Sequence, residues 1–406
     1  MYYTSNNQMT KEIVHMKKLM KVLAVACMSL TALTACSSPA ENPPSGEEGS
    51  NEAIKIGLHY ELTGSVADYG TAEAFGSELA IKQANAAGGN FVGIKYDNKS
   101  DLTEANQLAT KLASEGVVGI IGPATSGLSA ATYPILEGTQ TVVISPSATA
   151  NNVTLVDPQN PDSTPYEYVY RICFEDSYQG SAMATFAIDN LSAKNAVVLW
   201  DSATDYAKGL ATAFKDKFEA NGGTIVADEN YVAGEVDFNS ILTKIKDLDF
   251  DVLYIPGYYQ EVGLIIKQAR AMGIDSAICG GDGFESTSLV ELADAKNLNN
   301  VYFTTSYTTV DASDELKAFV AAYKAEYNED PNMFSALAYD STNLLIQAIN
   351  EAGSTDKEAV KEAVKNIKFK GVTGEFTFDA KHSPVKTVLV VELVDGVQEN
   401  AVSVNP

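Results

Sequence analysis

Arginine is almost missing from this chain: among 406 residues only Arg171 and Arg270 carry a guanidinium. With 53 acids against 28 bases and a net charge of −25, the surface would repel a phosphate backbone, which excludes nucleic acid as a partner. Cysteine is scarce too. Four Cys, none in a CxxC pair, make neither a disulfide scaffold nor a zinc or thiol-redox centre. His59 and His382 have no Cys or acid at metal-ligand spacing. There is no GxSxG, HExxH or Walker A sequence, and Gly281-Asp282-Gly283 lacks the third glycine of a dinucleotide fingerprint. Hydrolase, metalloenzyme and cofactor-dependent chemistry are all disfavoured, and no cofactor is expected. What remains is ordinary for a folded protein: 45% hydrophobic and 20% charged residues, with length enough for two or three domains.

The amino end reads as an export signal and a tether. Lys17, Lys18 and Lys21 precede an apolar stretch, 22–33, that is too short for a comfortable membrane span. It stops at Leu33-Thr34-Ala35-Cys36, the pattern of a bacterial lipoprotein signal, in which cleavage would free Cys36 for lipid attachment. The alternative is an ordinary signal peptide with an incidental Cys. Residues 1–15 read as no part of a signal, so Met16 stands as an alternative start. Losing residues 1–35 removes four Lys and one Glu and moves the net charge from −25 to −28. Such a chain gains solubility and avoids anionic lipid, so contact with the membrane is expected through the anchor only. Residues 36–52 then form a disordered leash of Ser, Pro, Gly, Asn, Ala and Glu, reaching about 20–25 Å.

Strands and helices alternate through the body. Strands are expected at 53–58, 92–96, 117–121 and 141–145, with helices at 69–87, 102–115 and 129–137 between them. That is the signature of βαβ units and a parallel sheet. Three prolines within 151–167 break the rhythm, and a second series opens at 168–172. It continues with strands at 196–200, 224–226, 252–255 and 277–279, and helices near 178–190, 205–220, 238–247 and 259–272. Further helices are expected near 314–327, 335–352 and 357–366, then strands near 372–378 and 386–394. Two α/β lobes place a ligand between strand carboxyl ends. His59 and His382 are expected in surface or capping roles, Cys173 and Cys279 as buried free thiols.

The informative loops follow two adjacent strands. Ile121-Gly122-Pro123-Ala124-Thr125-Ser126-Gly127 runs into a helix start, where Thr125 and Ser126 are natural caps and free N–H groups would welcome a carboxylate. One unit later, Ser145-Pro146-Ser147-Ala148-Thr149 presents a second hydroxyl-rich loop at the same sheet edge.

On these and other motifs, in this order and spacing, the chain resembles the branched-chain amino-acid-binding proteins of bacterial ABC importers, of the type I periplasmic-binding fold. The others are Leu62-Thr63-Gly64, Asp68-Tyr69-Gly70, Asp205-Tyr206, Tyr254-Ile255-Pro256-Gly257-Tyr258, Gln268-Ala269-Arg270 and Gly280-Gly281-Asp282-Gly283. The resemblance implies an α/β fold of two doubly wound parallel-sheet lobes joined by a three-crossing hinge. Lobe one would comprise 53–170 and 302–384, and lobe two 171–301 and 385–406. It also implies a ligand site of Tyr69, Thr125, Ser126, Ser147, Ala148, Thr149, Tyr206, Tyr258 and Asp282. There Ser126 and Thr149 would grip the ligand carboxylate, while the Ser147 carbonyl and the Thr149 hydroxyl would accept from its ammonium. Asp282 would oppose that ammonium where the family frequently has Glu. Tyr69 would flank the side chain, and Tyr206 and Tyr258 would close over it. The implied ligand is leucine, isoleucine or valine, the partners are ABC permease subunits, and the protein is a lipid-anchored monomer outside the cytoplasm. The same fold could take another amino acid, an amide or urea, or serve as a sensing module with a separate partner.

Overall fold

A computed structural model describes residues 52–310 and 312–404. The expected signal, Cys36 and all of the leash but its last residue lie outside the described residues. The first sheet is built from β1 (Ile54–Tyr60), β2 (Phe91–Asp97), β3 (Gly119–Ile121), β4 (Val142–Ser145) and β5 (Val169–Arg171), in the order β2-β1-β3-β4-β5. All its pairings are parallel. Helices α1 (Ala67–Ala86), α2 (Leu102–Ser114) and α3 (Ser126–Gly138) supply the crossovers.

The second half repeats the plan with α4 (Asp176–Asp189), β6 (Asn195–Asp201), α5 (Asp205–Ala220), β7 (Thr224–Tyr231), α6 (Asn239–Ile245), β8 (Val252–Tyr254), α7 (Tyr259–Ala271), β9 (Ala277–Gly280), α8 (Thr287–Ala293) and β10 (Val301–Thr305). Its parallel core runs β7-β6-β8-β9-β10. That order reverses direction at its first strand, as the first sheet does at β1. Each sheet therefore opens a crevice at the carboxyl ends of its middle strands.

The chain then returns to the first half. Helices α9 (Asp314–Tyr327), α10 (Met333–Ala352) and α11 (Lys357–Lys365) follow, and α10 packs along α1 and against β3 and β4. A small hairpin, β11 (Phe369–Gly371) and β12 (Gly374–Phe376), precedes β13 (Val388–Val394) and β14 (Val397–Val404), which complete the second sheet. The second sheet is thus mixed rather than wholly parallel, because β13 pairs antiparallel with β10 and β14 with β13. Strand β14 was not expected from its polar sequence. Asp395 and Gly396, at φ 48° and 81°, make the tight turn that pairs it.

Local chemistry accounts for most helix starts. Asp101, Thr204, Ser313 and Asp356 accept an N–H from their own first turns, and Asn332 forms a capping box with Ser335. Helix α3 starts about a turn earlier than expected, at Ser126. One strand, 301–305, falls on the other side of an expected lobe boundary, while 168–172 shows that the second series opens later than expected. Segment 168–172, read as opening the second series, pairs with β4 in the first sheet, and 301–305 pairs with β9 in the second. Pairing partners lie far away in sequence, so the proline-rich break at 151–167 reads as the end of the first series when it is an excursion within it.

Helices α1 and α10 approach unusually closely. A Cβ at Gly76 would lie 2.1 Å from the Ser335 carbonyl oxygen, so only glycine fits. Hydroxyls pin the contact further: Ser77 Oγ lies 2.7 Å from Tyr60 Oη and accepts from Thr342 at 2.9 Å. His59 corrects the surface reading. It is fully buried in the middle of the first sheet, and burial lowers its pKa to about 3, so it is neutral. His382 is buried as well, stacked on Tyr170 at 4.2 Å. Cys173 and Cys279 are buried free thiols. Among the described residues no helix is long and apolar enough to cross a membrane.

Candidate functional site

Strand ends of both sheets deliver the site. After β3 the chain turns at Gly122, whose φ of 99° and whose ideal Cβ position, 2.1 Å from the His59 carbonyl oxygen, both require glycine. The loop then enters α3. After β4 the 145–150 loop lies against it, and three hydroxyls join the two. Ser126 Oγ accepts from the Ala150 N–H at 3.0 Å, Ser145 donates to the Pro123 carbonyl at 3.0 Å, and Ser147 Oγ sits 2.9 Å from the Ala124 carbonyl. Beneath them Arg171 is fully buried and donates to the carbonyls of Ala148 and Ala150 at 3.1 and 2.8 Å.

The capping expectation for Thr125 needs correcting. Its side chain accepts nothing from the helix. The Thr125 hydroxyl and N–H, with the Ala124 N–H, donate to buried Glu61 at 2.8, 2.9 and 3.1 Å. Part of the anion-attracting loop is therefore filled by the protein's own carboxylate. Glu73 sits nearby on α1, its carboxyl 2.5 Å from Ser147 Oγ. Burial pushes Glu73 well above the usual carboxylate range, and its second oxygen has no partner among the described residues. A protonated Glu73 can donate to Ser147, which leaves the Ser147 proton for the Ala124 carbonyl.

The opposite wall comes from the second sheet. Asp282 follows β9 in a short 3-10 turn and is 3% exposed. It accepts from the Tyr206 hydroxyl at 2.7 Å and from Gln179 at 3.0 Å. The Tyr206 oxygen in turn accepts from the Gly283 N–H at 2.9 Å, and its ring stacks on Tyr258 at 4.9 Å. Tyr69 reaches across from α1 to donate to the Gly283 carbonyl at 2.5 Å, with its ring stacked on Phe334 of α10 at 4.2 Å. Between the walls lies a narrow, nearly filled cavity of about 10 Å³. Of the nine expected residues, all but Ala148 line it, together with Ala124, Gly283 and Phe334. Ala148 stands behind the wall, where it donates to Ser145 Oγ and accepts from Arg171. A wider hollow of about 470 Å³ opens between 174–181 and 379–386, but it gathers no comparable set of convergent groups.

The electrostatics are one-sided. Burial raises Asp282 to about 6 even though Tyr206 and Gln179 stabilise its charge. Asp176, at the start of α4, is pushed well up by burial and then by repulsion from Asp282. The nearby Thr149 side chain favours the charged form of Asp176, yet neither its hydroxyl nor Asp176 Oδ2 completes a well-formed hydrogen bond among the described residues. Two acids share this wall with only buried Arg171 to offset Asp176, an arrangement that suits a ligand bringing positive charge and donors. Sequence reasoning missed Asp176, Gln179, Glu61, Glu73 and Phe334. On a helix start Asp176 and Gln179 look like ordinary capping polars, and nothing in the pattern marked them as buried.

Comparison with known proteins follows the same lines. The profile of the periplasmic binding protein family matches residues 53–398. The leucine-, isoleucine-, valine-, threonine-, and alanine-binding protein of Pseudomonas aeruginosa is 31% identical over 335 residues, covering 81% of this chain and 87% of the relative. Among solved structures, the branched-chain amino acid transporter substrate binding protein LivJ from Streptococcus pneumoniae, in complex with isoleucine, is 41% identical. It superposes with a TM-score of 0.82 over 87% of this chain and all of its own. The leucine binding protein LivK from Thermotoga maritima is 33% identical, with a TM-score of 0.81 over 87% of this chain and 99% of its own. With its doubly wound halves and its cavity between strand ends, this chain belongs to the periplasmic binding protein family.

Proposed function

We propose that this protein is the extracytoplasmic solute-binding component of an ABC importer, taking leucine, isoleucine or valine and passing it to membrane permease subunits. The observation that carries the reading is the division of labour across one cavity. Hydroxyls of Ser126 and Thr149 stand on the first half, and the Asp282 carboxyl stands on the second. An α-amino acid carries a carboxylate and an ammonium on one carbon, so it can engage both halves at once, which couples binding to closure. Tyr69, Phe334, Tyr206 and Tyr258 supply an aromatic lining that suits an aliphatic side chain. Relatives named for the same ligands support the choice. The protein performs no chemistry on its ligand.

A thermal-shift and calorimetric panel of amino acids, small amides and urea tests the proposal. A branched-chain amino acid at one hundred times its dissociation constant should add about 2.7 kcal/mol of stability. Stabilisation by neutral amides alone would transfer the site to another solute class. Thr149→Ala removes the hydroxyl and spares the backbone. It should cost about 1.5–3 kcal/mol of amino-acid binding with little change in fold stability. If Thr149→Ala and Ser126→Ala both bind within twofold of the parent, the carboxylate is held elsewhere.

The tether belongs to the same proposal. A lipid on Cys36 and a polar leash would hold the binding unit near the membrane without embedding it. Cys36→Ser should move the exported protein from the membrane fraction to the soluble one. Continued acyl labelling and unchanged partitioning would remove the anchor from the account.

A further inference from the structure

The two halves also meet through contacts outside the cavity, and two of them are reciprocal. Asp68, on the first turn of α1 in the first half, accepts from the Ser286 hydroxyl and from the Ser288 N–H, the latter at 3.2 Å. Both serines lie just beyond the turn that follows β9 in the second half. In the opposite sense, Glu285 of the second half accepts the Met333 N–H through Oε1 at 2.9 Å. Its Oε2 accepts the Thr305 hydroxyl at 2.8 Å, which orients the carboxylate. Met333 opens α10 in the first half, so its N–H has no acceptor within its own helix. Each half thus lends a carboxylate to donors of the other.

These contacts meet on one short segment. Asp282 and Gly283 face the cavity, and Gly283 receives the Tyr69 hydroxyl. Glu285, Ser286 and Ser288 carry the two reciprocal contacts a few residues on. Neither Asp68 nor Glu285 lines the cavity. Separating the halves breaks both contacts, whereas the Tyr206 and Gln179 bonds to Asp282 lie within the second half and would survive.

We infer that Asp68 and Glu285 are positioning residues that clamp segment 282–288 onto the first half and set how long a bound solute is retained, without touching it. The inference rests on the proposed reading of the cavity as a solute site. A ligand that needs the closed form loses apparent affinity in proportion to the closed population. Contacts made only on closure act on dissociation and leave the encounter step alone.

Stopped-flow leucine binding to Asp68→Ala and Glu285→Ala tests this. Each variant should release leucine about tenfold faster, with association within twofold of the parent. Asp68→Asn, which keeps an acceptor oxygen but not the charge, should fall between parent and Asp68→Ala. A purely structural role would lower unfolding stability and leave dissociation unchanged. Asp68 is only half-buried, so its replacement is tolerable even if Glu285→Ala folds poorly. A second arm needs no ligand: spin labels at exposed Thr110 and Lys246 report the separation of the halves. Longer separations in the variants than in the parent support the clamp. Leucine release within twofold of the parent in Asp68→Ala overturns it. Should the parent bind no amino acid, the functional proposal falls and the spin labels alone decide. Coincident distance distributions in parent and both variants then overturn the clamp.

Discussion

Asp282→Asn is expected to weaken leucine binding by about thirtyfold to a thousandfold, or about 2–4 kcal/mol. An asparagine keeps the shape, and its oxygen can still accept from Tyr206 and Gln179, which hold Asp282 at 2.7 and 3.0 Å. Only the charge opposing the ligand ammonium is lost, in a cavity where an unpaired cation is costly to desolvate. Asp176 remains beside it, so the lower half of the range applies if that second acid takes over part of the role. The deamino analogue of leucine, with no ammonium to pair, should bind the variant at least as well as the parent. A pH series sharpens the test. Burial raises Asp282 to about 6. An ammonium favours its deprotonated form, so affinity in the parent should be level above about pH 7 and fall below about 6, by up to tenfold per unit. The gap between parent and variant should narrow over the same window. Equal affinities at pH 7.5 would mean that carbonyls or Asp176 hold the ammonium.

Much of this was legible in the residues. Helices 205–220 and 314–327 have the predicted limits because Thr204 and Ser313 cap them and the apolar spacing fits the core. The loops after β3 and β4 could be read because hydroxyl-rich stretches after apolar strands have few other uses. Register and burial were harder. Nothing local says that 168–172 pairs with β4, since that choice is made between segments separated by the proline-rich excursion. Nor does a sequence reveal that Glu61 occupies the N–H groups of Ala124 and Thr125, because the two meet only when β1 and β3 lie side by side. His59 misled for the same reason. A polar residue at a strand end looks exposed until both faces of its sheet are covered.

Arg171→Met should be the most destabilising single change in the molecule away from glycine, at about 3–5 kcal/mol. The guanidinium is fully buried and donates in four directions: to Ser383, to the carbonyls of Ala148 and Ala150, and to Glu175. Methionine fills much of the volume but leaves two buried carbonyls and a carboxylate without their donor. Arg171→Lys should recover only part of the loss, since one ammonium cannot serve partners spread around a planar fork. Because Thr149 sits between the two carbonyls, leucine affinity should fall as well, even where the variant is folded. Urea unfolding monitored beside calorimetry would measure both. A stability loss under about 1 kcal/mol would show that water or Lys386 replaces the guanidinium.

The close crossing at Gly76 has a mechanical consequence. Tyr69 stands on α1 and Phe334 on α10, and the two helices meet backbone to backbone with Ser77 and Thr342 hydroxyls bonded between them. Those two rings therefore travel as one rigid jaw. A longer or shorter ligand cannot be admitted by sliding one helix along the other, because there is no side-chain cushion at the crossing to yield. On this side of the cavity ligand length is gauged against a fixed surface, and retuning it means exchanging the rings themselves.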